Sequence, residues 1–325
     1  MSAKRYRRDV LRLLASAAAL PALARRAAAA DYPSRPVRLL VPYPPGGAPD
    51  IVARLIGQSL SDRLGQQFII DNRPGAGGNI ATEMVAKAPP DGYTLLYAVS
   101  TNAVNVTLYE RLNFNFVHDF APIGSVGTVP FALLIYPEFP AKTLGEFIAY
   151  AKANPGKVNM ATQGIGTTPH VCGELLQMMA GIRFVHVPYR TNLMPDLLAG
   201  QVHIYFSPLP QAIAFIRDSR LRALGVTTLK RAEALPEVPA IAEVVSGYEA
   251  LGWHGLCAPN APPGMVIDTL NGALAAAVTD PGMKARLDDL GVTPMRMTPA
   301  AFGKFIADET EKWAKVIKFA NIRME

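Results

Sequence analysis

Residues 37–56 constrain the fold more than any other stretch: Val37-Arg-Leu-Leu-Val-Pro-Tyr-Pro-Pro-Gly-Gly-Ala-Pro-Asp-Ile-Val-Ala-Arg-Leu-Ile56. Residues 37–43 are apolar and branched enough for a buried strand. Pro44, Pro45, Gly46 and Gly47 then stop the strand and force a turn. From Ala48 the apolar residues Ile51, Val52, Leu55 and Ile56 recur at helical spacing. Pro49 suits a first helical turn, where its missing N–H costs nothing, and Asp50 sets a carboxylate beside the positive helix end. The stretch therefore reads as a strand, a glycine turn and a helix whose free N–H groups point out beyond the strand's carboxyl end. In an open α/β sheet anionic ligands sit there, although an ordinary βα connection has the same local pattern.

Strand and helix signals alternate along the rest of the chain. Gln67–Asn72 reads as a strand, Arg73-Pro-Gly-Ala-Gly-Gly-Asn79 as a turn, Ile80–Ala88 as a helix and Tyr93–Val99 as a third strand closed by a polar loop, Ser100-Thr-Asn102. A second set begins at Phe131–Tyr136. It continues with a helix over 143–154 capped by Thr143, a strand over 157–162, a helix ended by Gly181 and a strand over 184–188. A short helix at 195–199 and strands at 202–206 and 221–226 complete it. Strand-like Leu256–Ala258 and helices at 263–279 and 299–320 finish the chain. Such alternation predicts an α/β fold with mainly parallel sheets and helices on their faces. A chain of 325 residues is too long for one comfortable core, so two domains are expected.

The first thirty residues read as a cleaved export signal. Lys4, Arg5, Arg7 and Arg8 precede a short, mostly apolar segment, and Ala27–Ala30 supply small residues for a signal peptidase. Arg7-Arg8 resembles a twin-arginine signal, while Arg12 interrupts the apolar run and leaves Sec export open. The segment holds seven Lys/Arg and one Asp, so the whole +6 net charge belongs to it and the remainder is neutral. Nothing in that balance calls for nucleic acid or an anionic membrane. Cys172 and Cys257 make no disulfide framework and are expected as separate buried thiols.

A second glycine turn, Gly164-Ile-Gly-Thr-Thr-Pro-His170, repeats the order of 44–50: strand, glycines, a proline in the first helical turn, then helix. Two such turns on two sheets can face each other across a cleft, with Thr167 and Thr168 adding hydroxyl donors. Enzyme signatures are missing. Neither glycine turn completes G-x-G-x-x-G, and no phosphate loop, nucleophile elbow or H-E-x-x-H occurs. His170 either reaches the cleft or makes a local hydrogen bond. Asp50 either stabilises its helix or orients a bound water. His186, between Val185 and Val187, reads as a packed or surface histidine.

Taken together, several stretches resemble the Bug family, the substrate-binding proteins of tripartite tricarboxylate transporters. They are Val41-Pro-Tyr-Pro-Pro-Gly-Gly-Ala-Pro-Asp50, Asn72-Arg-Pro-Gly-Ala-Gly-Gly-Asn-Ile80, Lys87-Ala-Pro-Pro-Asp-Gly-Tyr-Thr-Leu-Leu96, Gly164–His170, His186-Val-Pro-Tyr189, Asp196-Leu-Leu-Ala-Gly-Gln-Val202 and Leu235–Glu243 ahead of Trp253. The resemblance implies a type II periplasmic-binding-protein-like fold, with 31–130 plus 254–325 as one domain and 131–253 as the other. It implies a ligand cleft between them for a small organic carboxylate held by amides, hydroxyls and waters. The contacts it implies are Tyr43, Gly46, Gly47, Asp50, Thr101 and Asn105 from one side, and Gly166, Thr167, Thr168, His170, Tyr189 and Ser207 from the other. It further implies a monomer that hands its ligand to membrane permease subunits, without catalysis, cofactor or metal. A binding protein feeding a sensor kinase and an exported α/β enzyme using His170 and Asp50 are the competing readings. The chain departs from the family pattern after Tyr189. Arg190-Thr-Asn-Leu-Met-Pro195 replaces the usual basic–glycine loop, and His203 stands where an aspartate is common.

Overall fold

The computed structural model describes residues 32–189 and 192–324; the expected export signal and Arg190–Thr191 of the altered loop lie outside the described residues. The branched run forms β1 (Val37–Val41), buried except at Arg38. Helix α1 (Ala48–Leu64) starts after Gly47 and stops at Gly65, which adopts the left-handed conformation that ends many helices. There follow β2 (Phe68–Asn72), α2 (Asn79–Ala86), β3 (Thr94–Val99), α3 (Ser100–Leu108) and β4 (Phe120–Val129). The next run is β5 (Phe131–Ile135), α4 (Leu144–Ala153), β6 (Val158–Thr162), α5 (Thr168–Ala180), β7 (Phe184–Pro188), α6 (Met194–Leu198), β8 (Ile204–Pro208), α7 (Leu209–Arg217) and β9 (Arg222–Val226). The chain closes with β10 (Gly252–Pro259), α8 (Gly264–Thr279), α9 (Pro281–Asp289), β11 (Thr293–Pro294) and α10 (Pro299–Ala320).

Two sheets result. The first has the order β11-β4-β10-β3-β1-β2, with β1 to β3 parallel and β10 antiparallel to both β3 and β4. The second has the order β7-β6-β8-β5-β9, parallel across β6, β7 and β8 and antiparallel where β5 meets β8 and β9. The chain passes from the first sheet to the second across Pro130 alone and returns between β9 and β10. One core lies between the first sheet and α1, α8 and α9, around Leu39, Ile56, Tyr97 and Leu270. A second runs from Leu96 and Ala98 through α3 and α10 to Leu133, Phe206 and α5, so it spans both sheets. A third fills the remaining face of the second sheet around Leu134, Leu197 and Tyr205.

The alternation of elements follows the sequence expectation, and Thr143 caps α4 by accepting the Glu146 amide at 3.2 Å. Cys172 and Cys257 are buried and unpaired with each other, as expected. Among the described residues no helix is long and apolar enough to cross a membrane. Five of these elements escape the sequence reading: β4, α7, α9 and β11, and α3 in place of the expected polar loop. Gly255 shows how tightly the central strands pack. A Cβ there would lie 2.9 Å from the Gly124 carbonyl and would run into the Phe302 ring. Gly255→Ala should therefore lower unfolding stability by about 1–3 kcal/mol through overpacking, read from urea midpoints; an unchanged midpoint would mean that α10 yields freely.

Candidate functional site

Three strand-to-helix connections converge, those leading into α1, α3 and α5. In the first, Gly46 holds a left-handed backbone (φ +87°) that a side chain would strain. Its amide donates to Asp50 Oδ2 at 2.9 Å, as does Arg54 Nε at 2.9 Å. Asn72 Nδ2 donates to Asp50 Oδ1 at 2.9 Å and to the Tyr43 carbonyl at 3.0 Å. Asp50 is 2% exposed. Burial opposes its ionisation, but the bonds from Arg54, the Gly46 amide and Asn72 outweigh burial and hold its carboxyl below the usual carboxylate range. Both oxygens are taken up inside the turn, so Asp50 serves the turn's shape. The amides of Gly47, Ala48 and Asp50 find no acceptor among the described residues. They are the orphan donors of a helix start.

The connection into α5 has the same register. Gly164 and Gly166 are left-handed (φ +119° and +79°). The Gly166 amide donates to His170 Nδ1 at 3.2 Å, and Thr167 Oγ1 donates to the Gly164 carbonyl at 2.7 Å. The amides of Thr168 and His170 again find no acceptor among the described residues. The ring of His170 is buried, turned under the turn and away from solvent.

Helix α3 brings the two connections together. Ser100 Oγ lies 3.2 Å from Thr168 Oγ1 on the other sheet's turn, and Thr101 Oγ1 lies 3.2 Å from the Tyr43 hydroxyl. Burial pushes the Tyr43 phenol up, only partly offset by its bond to Thr101, so it stays a neutral hydroxyl. Ser100, Val104 and Leu108 share one face of α3. A Cβ on Gly166 would stand 4.0 Å from Val104 Cγ1 and inside contact with Leu108. Asn105 reaches the other way, donating to the Gly77 carbonyl and to Asn79 Oδ1, each at 2.9 Å. Asn79 Nδ2, buried at the start of α2, has no hydrogen-bond partner among the described residues.

Of the residues expected at the site, Tyr43, Gly46, Gly47, Asp50, Thr101, Gly166, Thr167, Thr168 and His170 thus fall in one connected region, with Asn105 at its edge. Tyr189 and Ser207 do not join it by hydrogen bonds to those residues. The Tyr189 hydroxyl donates to Asp196 Oδ2 at 2.7 Å, and buried Ser207 Oγ donates only to its neighbour's carbonyl at 3.3 Å. His203 accepts the Asn159 amide through Nδ1 at 2.8 Å and sits beside Tyr136 and Phe139. Sequence reasoning missed Ser100 and Asn79. The run Ser100-Thr-Asn102 directly after a strand was the available signal, since these residues favour helix starts.

Among the described residues one side-chain cluster has metal-ligand chemistry: His170, Glu174 and His186 bring ligand atoms within 4.8 Å of one another. The tautomer argues against it. His170 Nδ1 accepts the Gly166 amide, so the neutral ring carries its proton on Nε2, the nitrogen that faces Glu174. A metal on Nε2 would move that hydrogen to Nδ1, which could then no longer accept the Gly166 amide. Neither ring donates its far nitrogen to a carbonyl or carboxylate as metal-bound histidines do.

The fold is mixed α/β with two sheets, as in periplasmic binding proteins. A family model described as tripartite tricarboxylate transporter family receptor (TctC) matches residues 52–322, and the chain belongs to that family. Among solved structures it is similar to Rpa4515 of R. palustris with adipate, at 34% identity and TM-score 0.77, covering 90% of this chain and 99% of that one. The periplasmic binding protein BugD superposes with TM-score 0.75 at 33% identity over 90% of this chain and all (100%) of that one. MatC from Rhodopseudomonas palustris with bound malate gives TM-score 0.74 at 30% identity, covering 88% and 100% of the two chains.

Burial holds two histidines, His170 and His254, near a pKa of about 4, with His186 adding to the effect on His170. In the unfolded chain both titrate near 6.5. Between those values the unfolded state binds more protons, so the stability present above about pH 6.5 is lost as the pH falls toward 4, roughly 3 kcal/mol for each ring. His254→Phe, which keeps the stack on Tyr97, should flatten the fall in urea midpoint from pH 7 to 4.5 by close to half. An unaltered slope would show that His254 titrates normally in the fold.

Proposed function

We propose that this chain is an exported, non-catalytic solute-binding protein that captures a small organic carboxylate and delivers it to the membrane permease subunits of a tripartite tricarboxylate transporter. The observation that carries the reading is the pair of glycine turns on separate sheets, each with amides that find no acceptor among the described residues, and both tied to the first turn of α3 through Thr168 and Tyr43. Amide and hydroxyl donors in fixed positions suit a carboxylate. Hydrogen bonds to a charged group contribute about 1.5–3 kcal/mol each, so three or four, less the cost of association, give affinity in the micromolar range. The adipate and malate of the similar structures are both small carboxylates and support that ligand class.

In this reading residues 1–30 direct export to the periplasm and are removed. Residues 31–130 with 254–325, and 131–253, act as two bodies that hinge at the β4–β5 and β9–β10 crossings and close on the ligand as a monomer. Tyr43, Gly46, Gly47 and Thr101 line one wall and Gly166, Thr167 and Thr168 the other. Asp50, Asn105 and His170 hold the turns in shape from behind, and Tyr189 and Ser207 border the second wall.

Gly47 offers the decisive test. Its backbone (φ −78°) accepts any residue, and a Cβ there meets nothing closer than Pro49 Cδ at 3.8 Å. Gly47→Leu should fold normally yet cover the free amides of α1. In a thermal-shift and calorimetric screen of mono-, di- and tricarboxylates and neutral amides, the native protein should respond to one class of acid. A ligand at 100 times its dissociation constant adds about 2.7 kcal/mol. Gly47→Leu should weaken that acid at least tenfold without lowering the ligand-free melting temperature. Undiminished affinity in the variant would move the ligand elsewhere, and a response to neutral amides alone would remove the carboxylate.

A further inference from the structure

Behind the second glycine turn lies a buried chain of polar groups that the carboxylate-capture reading does not use. Glu174, one helical turn beyond His170, is 5% exposed. Its Oε1 lies 2.7 Å from His186 Nε2 and 3.7 Å from His170 Nε2, and its Oε2 accepts Gln177 Nε2 at 2.7 Å. Gln177 is in turn fixed by the Phe184 amide, which donates to its Oε1 at 2.5 Å. The two imidazoles meet edge to face with centroids 4.5 Å apart. No Lys or Arg pairs with Glu174 among the described residues; its neighbours are the two rings and one amide.

The protons in this chain follow from the distances. Glu174 Oε1 at 2.7 Å and Gln177 Nε2 at 3.2 Å both lie against His186 Nε2; the shorter carboxylate contact favours a hydrogen on that nitrogen, because two lone pairs at that separation repel. The same carboxylate favours a hydrogen on His170 Nε2. With that ring neutral, its Nδ1 keeps the lone pair that accepts the Gly166 amide. Glu174 therefore selects the one tautomer of His170 able to hold Gly166. The opposite tautomer would aim an N–H at an N–H and push the turn away. Buried hydrogen-bond networks of this kind specify one geometry because each unmet partner is costly.

We infer that Glu174 and His186 are positioning residues for ligand capture: they never touch the ligand, but through the His170 tautomer they fix the Gly164–Thr168 turn whose free amides receive it. This rests on the proposed carboxylate-binding function for its consequence, though the tautomer and the state of the Gly166 amide stand apart from any ligand.

The test combines both levels on the full protein. In histidine-labelled protein at pH 7, long-range proton–nitrogen spectra should show His170, assigned with His170→Asn, protonated at Nε2 with Nδ1 bare. The Gly166 amide should exchange slowly with solvent. Glu174→Gln should mix the tautomers, speed Gly166 exchange and weaken adipate roughly tenfold, the fold-change matching loss of one oriented hydrogen bond. His170→Asn supplies a side-chain oxygen in place of Nδ1 and needs no tautomer. In that background Glu174→Gln should leave adipate affinity unchanged, a non-additivity that a general structural role would not produce. A Nδ1-protonated His170 in the native protein would overturn the inference, as would an equal loss in both backgrounds. If the native protein ignores adipate, the spectra still decide the tautomer, and it is the choice of carboxylate probe that has failed.

Discussion

The close approach of α3 to Gly166 is the constraint on which the arrangement of the two sheets depends. Any side chain at Gly166 would strike Leu108 and crowd Val104, and its left-handed backbone excludes most of them independently. With only a hydrogen there, the first turn of α3 can settle against the turn before α5, close enough for Ser100 and Thr168 to share a hydrogen bond. The same helix passes Thr101 to Tyr43 and Asn105 to the glycine run before α2. One nine-residue helix thus sets the spacing between glycine turns that lie far apart in sequence. The apolar core that runs from the first sheet through α3 and α10 to the second supports it from behind.

The two turns solve one problem in the same way. In Gly46-Gly-Ala-Pro-Asp50 and Gly166-Thr-Thr-Pro-His170, a left-handed glycine donates its amide to the side chain four residues ahead, with a proline just before that acceptor. One amide is committed to shaping the turn, the proline contributes none, and those at the helix start remain free. The acceptors differ in how they are held in the accepting state. Asp50 is kept ionised by Arg54 and Asn72 directly. His170 is kept neutral by burial and oriented by Glu174. A carboxylate accepts whichever way it faces, whereas an imidazole accepts on one nitrogen only, and this is why the second turn needs a longer supporting chain.

The α/β class and the glycine turns were legible because they are local: branched runs, a proline–glycine stop, then helical spacing. What the sequence hid depends on distant partners. Strand β4 carries Pro122, Gly124, Ser125 and Gly127, poor strand formers by propensity, yet it lies between β10 and β11. Its glycines are there because α8 and β11 press against them, with Asn271 and the Thr293 carbonyl next to where side chains would stand. Helix α3 looked like a loop because Ser100, Thr101, Asn102 and Asn105 are polar. In the fold Asn102 accepts the Val99 amide and donates to Thr82, and the others bond across to neighbouring turns. The aim of the His170 ring was equally hidden, since no local pattern ties it to His186 on the adjacent strand.

Positive charge is largely withheld from the region where the turns meet. Among the described residues the one guanidinium bonded there, that of Arg54, is directed to Asp50 and Asn72. In the proposed function recognition falls to backbone dipoles and hydroxyls already held in place by the turns, so little ordering cost is added on binding. In the proposed function affinity would be tied to geometry: were the two sheets to separate, the donors around Thr168 and those around Gly47 would no longer face the same group. A protein that must both capture and release gains from that dependence. On that proposal Asp50 below one turn and Glu174 below the other are buried and hydrogen-bonded because each holds its turn in shape.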